Sequence, residues 1–178
     1  MKYAAFLRGV NVGRNHRVSS AELKSMFEKL GAEEVATFRT SGNVVFEAPR
    51  DMARAIEKHL EKSLGYEVAI FLRTASELKA IAAEQPFPSK AVEASKGKLQ
   101  VSMLDKAPSA GVKKKVLALA TDQDPLVFGK RELYWLPSGG TLESELDRKA
   151  IDKLLGPTTM RTKGTVELLA AKFFDSSR

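Results

Sequence analysis

The stretch EVATFRTSGNVVFE, Glu34–Glu47, decides how the chain is read. Two runs rich in β-branched and aromatic residues flank Ser41-Gly42, a small polar residue followed by glycine, which favours a tight reversal. Glu34–Thr40 is predicted as a strand and Asn43–Glu47 as its returning partner. Upstream, Ser19-Ser20-Ala21-Glu22 has the form of a capping box. A serine side chain accepts from a backbone N–H three residues on, and the glutamate reaches back. Val18 and Leu23 fit the accompanying hydrophobic staple. Leu23, Met26, Phe27 and Leu30 then recur at helical spacing, and Gly31 supplies the stop. Lys2–Arg8 reads as a strand before that helix. Downstream, Asp51–Leu64 reads as a second helix with Met52, Ile56, Leu60 and Leu64 on one face and Gly65 at its end, followed by a strand over Glu67–Leu72. The order is β-α-β-β-α-β. Its usual packing is an antiparallel sheet of order 4-1-3-2 with both helices on one face.

The remainder repeats that order of elements without a visible sequence repeat. Thr74-Ala75-Ser76-Glu77 is a second capping box, opening a helix that ends before Pro86. Residues 86–98, with two prolines, read as a linker. A strand follows over Leu99–Leu104, then a helix over Ser109–Thr121. Leu126–Phe128 and Leu133–Leu136 form a hairpin around Gly129-Lys130-Arg131. Helices are predicted over Leu142–Leu155 and Thr165–Phe174, and no fourth strand is evident. The expected fold class is α+β: two βαββα(β) halves with mainly antiparallel sheets. The N-terminal half is residues 1–85, and the C-terminal half, with an extra terminal helix, is 99–178.

Composition narrows the chemistry. Of 178 residues, 43% are apolar and 29% charged, the balance of a soluble globular chain. No apolar run is long enough to cross a bilayer, and the run at the N-terminus stops at Arg8, so the chain is read as cytoplasmic and without a membrane partner. There is no cysteine, which removes disulfides, thiolate metal sites and cysteine nucleophiles. The two histidines, His16 and His59, show no metal-ligand spacing, and no metal or cofactor is expected. His59 falls on a predicted helix and reads as structural. No GxSxG motif supports a serine nucleophile. The net charge is +7, and Lys2, Arg8, Arg14 and Arg17 all precede the first acid, Glu22. That balance favours an anionic partner, either a small molecule or nucleic acid. Lys113-Lys114-Lys115 reads as the wet face of a helix.

Strand order locates a candidate site. The connection after the first strand and the turn between the second and third lie at one end of the sheet. Arg8–Arg17 therefore falls beside Thr40–Asn43. Arg8, Gly9, Asn11, Gly13, Asn15, Ser41, Gly42 and Asn43 are the candidate ligand-binding residues. Glycine lets backbone N–H groups approach an anion, arginine offers a planar fork, and asparagine supplies donors and acceptors. The helix beginning at Ser19–Ser20 adds a favourable dipole. A purely structural reading stands beside this one: glycines granting positive φ, asparagines bonded within their own loop, and an ordinary hairpin turn. The spacing is neither a Walker nor a Rossmann fingerprint.

LRGVNVGRN followed by TFRTSGNVVF resembles a widespread bacterial family known as domain of unknown function 1697, whose opening is close to LRGINVGGxNxV and whose hairpin reads TYxxSGNVVF. FLRTASELKAIAAEQPF, ELYWLP and GTLESELDRKAIDKLLGPTTMRTKGTVELLA carry further likeness. The resemblance implies two ferredoxin-like halves, in agreement with the reading above, and no activity. Two departures stand out. Arg14 replaces an expected glycine. The pattern TxRNWNTVxKL becomes Thr159-Met160-Arg161-Thr162-Lys163-Gly164-Thr165-Val166, so Thr162 and Lys163 replace asparagine and tryptophan. Arg161 keeps the pattern and is a further candidate, either on the anion surface or fixing the last helix.

The leading functional expectation is a binding domain for a phosphate- or carboxylate-bearing ligand at the loop-and-hairpin end. An RNA-binding module is the first alternative, since the element order is that of base-stacking sheets. Against it, Tyr3 and Phe6 alternate to opposite faces, and only 7% of residues are aromatic. An enzyme acting on a nucleotide-like substrate is the second, with His16 as the one neutral-pH base in the loop. A structural interaction module using the hairpin of Tyr134, Trp135 and Leu136 is the third. The residues fix neither the ligand, nor whether there is catalysis, nor the oligomeric state.

Overall fold

A computed structural model describes residues 1–11, 17–39 and 42–175. The chain divides into two compact units, one of residues 1–80 with the chain from Leu169 onward, the other of residues 81–168.

The first unit is built from β1 (Lys2–Arg8), α1 (Ser20–Glu28), β2 (Glu33–Thr37), β3 (Asn43–Glu47), α2 (Ala53–Leu64) and β4 (Ala69–Thr74). The strands pair in the order β2-β3-β1-β4, each pair antiparallel, which is the expected 4-1-3-2 arrangement. The local signals work as their chemistry requires. Ser19 Oγ accepts from Glu22 N–H at 3.1 Å, and Glu22 Oε2 accepts from Ser19 N–H at 3.0 Å. A cap of this kind contributes about 1 kcal/mol. Val18 and Leu23, the two staple residues, are both buried in the core. Gly65 ends α2 in the left-handed region.

Alternation along the strands sends Tyr3, Ala5, Leu7, Val44, Phe46, Ile70 and Leu72 to the face that packs against Leu23 and Phe27 of α1 and Ile56 and Leu60 of α2. Phe46 stacks on Tyr3 and meets Phe27 edge-on, with centroids 5.6 and 5.3 Å apart. Tyr3 and Phe6 are both buried, so neither can stack a base in the manner of an RNA-binding sheet. The end of the chain joins this unit: Phe173 meets Phe38 edge-on at 6.1 Å, and Lys2 Nζ lies 5.4 Å from the Phe174 ring centroid.

After α3 (Ala75–Ala83) and α4 (Ser89–Ala94) come β5 (Gln100–Leu104), α5 (Ala110–Leu117), β6 (Leu126–Phe128), β7 (Glu132–Trp135), α6 (Arg148–Leu155), β8 (Thr158–Thr162) and α7 (Lys163–Phe173). Their sheet has the order β6-β7-β5-β8, the first unit's order repeated. The repeat holds at the level of register. Ala4 stands between Val45 and Arg73 in one sheet, and Val101 stands between Tyr134 and Arg161 in the other.

Three features depart from the sequence expectation. A fourth strand, β8, is present. Its two buried positions carry Thr159 and Arg161, so no apolar alternation marks it. Second, α6 begins at Arg148 and not at Leu142. Asp147 caps it, accepting from Ala150 N–H at 3.0 Å, and Leu142 is 91% exposed. Third, the stretch 86–98 contains α4. Tyr134, Trp135 and Leu136 are all buried, not displayed for a partner.

Asp124 anchors the segment that precedes α6. It is buried, and its Oδ1 accepts from Trp135 Nε1 at 2.9 Å and from Ser144 Oγ at 2.8 Å. Asp124→Ala leaves two donors without their acceptor, at a cost of about 1–3 kcal/mol. Trp135 is the sole tryptophan. Urea unfolding followed by its fluorescence is expected to show a lower midpoint in the variant, and an unchanged midpoint would contradict the anchoring role.

Candidate functional site

The loop after β1 and the β2–β3 hairpin are joined by backbone. Leu7 N–H donates to Gly42 O at 2.8 Å, which continues the β1–β3 ladder past its last register pair, Phe6 with Asn43. Gly42 has φ 77°, and a Cβ there would lie 2.7 Å from Val10 Cγ2 and 3.1 Å from Leu7 Cβ. Only glycine allows this approach. Gly9, at φ 98°, is similarly constrained, because its Cβ would lie 2.9 Å from Glu67 O.

The two asparagines hold the rims. Asn11, at φ 55°, accepts through Oδ1 from Val18 N–H at 2.9 Å and so closes its own loop. Asn43 is fully buried; its Nδ2 donates to Phe38 O at 2.9 Å, and its carbonyl accepts from Phe38 N–H at 2.9 Å. That pair of bonds fixes the hairpin neck. It turns the chain so that Arg39, at φ 60°, leaves the strand with its guanidinium 5.5 Å from the Phe38 ring centroid.

Between these rims lies a cleft of about 590 Å³, within the range of small-molecule sites. Its lining includes Asn11 and Arg17 from the loop, Ser19, Ser20 and Leu23 from the start of α1, and Thr37, Arg39, Gly42 and Asn43 from the hairpin. Val18 and Leu23 give it an apolar floor shared with the core. Arg17 and Arg39 are exposed and both line it, one from the loop and one from the hairpin. The described lining carries guanidinium groups, hydroxyls and carboxamides, and no carboxylate or imidazole. Glu22, on the capping bond at Ser19, offsets part of the positive end of α1.

Of the residues expected from sequence, Asn11, Gly42 and Asn43 line this cleft. Gly9 supports it from the loop's start. Arg8 is exposed at the end of β1, opposite Ala69, and is not among the lining residues. Gly13, Asn15 and Ser41 lie outside the described residues, as does His16. Arg161 belongs to the second unit, where its Nη1 donates to Thr159 Oγ1 at 2.7 Å and Met160 O at 2.8 Å. Burial pulls its guanidinium down to about 10, which still leaves it cationic at neutral pH. Arg39 was missed in the sequence because an arginine at positive φ has no local signature. Its position two residues before Ser41-Gly42 was the available hint.

The two departures near the C-terminus have local roles. Thr162 Oγ1 accepts from Thr165 N–H at 3.2 Å and caps α7. Lys163 is buried, with Nζ donating to Ala82 O at 3.0 Å and to Glu167 Oε1 at 2.9 Å. Among the described residues, no group of histidine and carboxylate side chains could hold a metal ion. Among the described residues, no helix is long and apolar enough to cross a membrane.

Comparison with known proteins gives a family and a fold. Residues 1–134 match the family described as "Protein of unknown function (DUF1697)". A solved structure of a conserved bacterial protein from Streptococcus pneumoniae superposes with a TM-score of 0.69 at 22% identity, covering 96% of this chain and 97% of that one. At that identity the likeness concerns the fold alone. No curated protein matches the chain.

Gly42→Ala tests the junction of loop and hairpin. The left-handed backbone and the close approach to Val10 are expected to cost about 1–3 kcal/mol. Amide exchange at Leu7 should quicken in the variant. Unaltered exchange and stability would show that the junction tolerates a side chain.

Proposed function

The chain belongs to this family of unknown function, and from the chemistry of the cleft we propose that it binds a small anionic ligand bearing a phosphate or carboxylate group. The observation that carries the reading is that Arg17 and Arg39, from separate segments of the chain, line one cleft. Guanidinium forks match the planar or tetrahedral oxygens of such groups, and paired forks from two walls suit a group inserted between them. Ser19, Ser20 and Thr37 supply hydroxyls to the rest of the ligand. Asn11 and Asn43 hydrogen-bond within loop and hairpin, so their role is to shape the cleft. Gly42 brings the walls together.

The described lining favours binding over acid–base chemistry, since hydroxyls, amides and guanidinium groups do not exchange protons readily at neutral pH. An anion held by two arginines is expected to lose about tenfold or more in affinity for each arginine removed, given about 1.5–3 kcal/mol for a hydrogen bond to a charged group.

A thermal-shift panel of phosphorylated and carboxylated metabolites, followed by calorimetry, tests this. The parent should be stabilised by at least one class. Arg17→Ala/Arg39→Ala should lose that stabilisation while melting as the parent does without ligand. Equal shifts in parent and variant, or no shift with any anion, would refute the proposal.

A further inference from the structure

The second unit repeats the loop-and-hairpin end of the first with a different surface. Leu104 N–H donates to Arg131 O at 2.8 Å, as Leu7 does to Gly42, and Ser109 caps α5 as Ser19 caps α1. The connection is shorter here, residues 105–109 against residues 9–19. It is also tied to the hairpin, because Arg131 Nη1 donates to Asp105 O at 3.2 Å.

Cations gather on this end. Lys106 is exposed on the loop and Lys130 is exposed at the hairpin tip, with Arg131 half-buried beside it. Lys113, in the first turns of α5, holds its Nζ 5.8 Å from the centroid of Phe128, the last residue of β6. Three contacts therefore bring loop, hairpin and helix together: Leu104 with Arg131, Arg131 with Asp105, and Lys113 with Phe128. Lys114 and Lys115 extend the exposed charge along α5. Among the described residues, no ion pair takes Lys106, Lys113, Lys114, Lys115 or Lys130.

We propose that this surface binds the phosphate backbone of a nucleic-acid strand without reading its bases. Separate cations spread from loop across hairpin to helix match a chain of repeated charges better than a single anion. Lysine acts as a mobile point charge, suited to a moving row of phosphates. Phe128 lies under Lys113, and the aromatic residues of β7 are buried, so no ring is presented for base stacking. Leu117 is the sole exposed large apolar residue of α5, which is too little apolar surface to insert into a lipid headgroup layer. The proposal is independent of the cleft in the first unit.

Fluorescence anisotropy of labelled single-stranded oligonucleotides of unrelated sequence, titrated with the full chain at rising salt, tests it. Binding is expected at low salt and equal for all sequences. The logarithm of the association constant should fall linearly with the logarithm of salt concentration, with a slope near −2 to −3 for about three to four phosphates engaged. Lys130→Gln should reduce that slope by about 0.7. Lys106→Gln/Lys113→Gln/Lys130→Gln should bind at least tenfold more weakly at low salt, with circular dichroism unchanged. Arg17→Ala/Arg39→Ala should bind the oligonucleotides as the parent does. No anisotropy change at low salt, parental affinity in the triple variant, or tighter binding to vesicles of anionic lipid than to oligonucleotide would each overturn the proposal. Should the triple variant fail to fold, the slope of Lys130→Gln alone decides.

Discussion

The hydrogen bond from Leu7 N–H to Gly42 O draws the end of β1 against the turn between β2 and β3. Everything at that end of the first unit depends on it. It extends the central antiparallel pair by one rung. The residue that accepts it has no room for a side chain, because Val10 and Leu7 already occupy the space. With the two backbones locked, Asn11 and Arg17 from the loop after β1 and Arg39 from the hairpin border one cleft. Its floor is part of the hydrophobic core, so the site inherits its rigidity from the packing of Val18 and Leu23.

The same rung occurs in the second unit between Leu104 and Arg131, on a sheet of the same order and register. The contrast shows what the loop contributes. Where the connection is long, as at residues 9–19, its polar side chains frame a cleft. Where it is short, as at residues 105–109, it is tied directly to the hairpin, and the charges face outward. One scaffold thus presents two arrangements of positive charge, a pair lining a cleft and a spread of lysines. On the two proposals above, these suit different anions: a compact group held by two guanidinium forks, and an extended polyanion held by screened, additive attraction.

Much of the first unit was legible because its local signals agree with its packing. The capping box at Ser19, the staple of Val18 and Leu23, and the turn chemistry around Gly42 each point to the same topology, and strand order then fixes which loops meet. What could not be read has specific causes. The buried positions of β8 are Thr159 and Arg161, polar groups whose inward placement is stabilised by bonds such as Arg161 to Thr159, visible only in three dimensions. The sequence reading begins the helix at Leu142, six residues before α6 starts at Arg148. Asp124 instead captures Ser144, and Asp147 delays the helix by capping it. In the cleft, sequence pointed to the loop and hairpin but chose Arg8, whose strand position carries it away from the lining. Arg39 is set by a positive-φ backbone that no spacing rule encodes.

The measurement that bears most directly on this account is a titration of the isotopically labelled chain with inorganic phosphate, followed by amide chemical shifts. Progressive, saturable shifts concentrated at Arg17, Ser19, Ser20, Arg39 and Gly42 are the predicted result. Shifts confined to residues outside the cleft, or none at these residues at saturating phosphate, would contradict it.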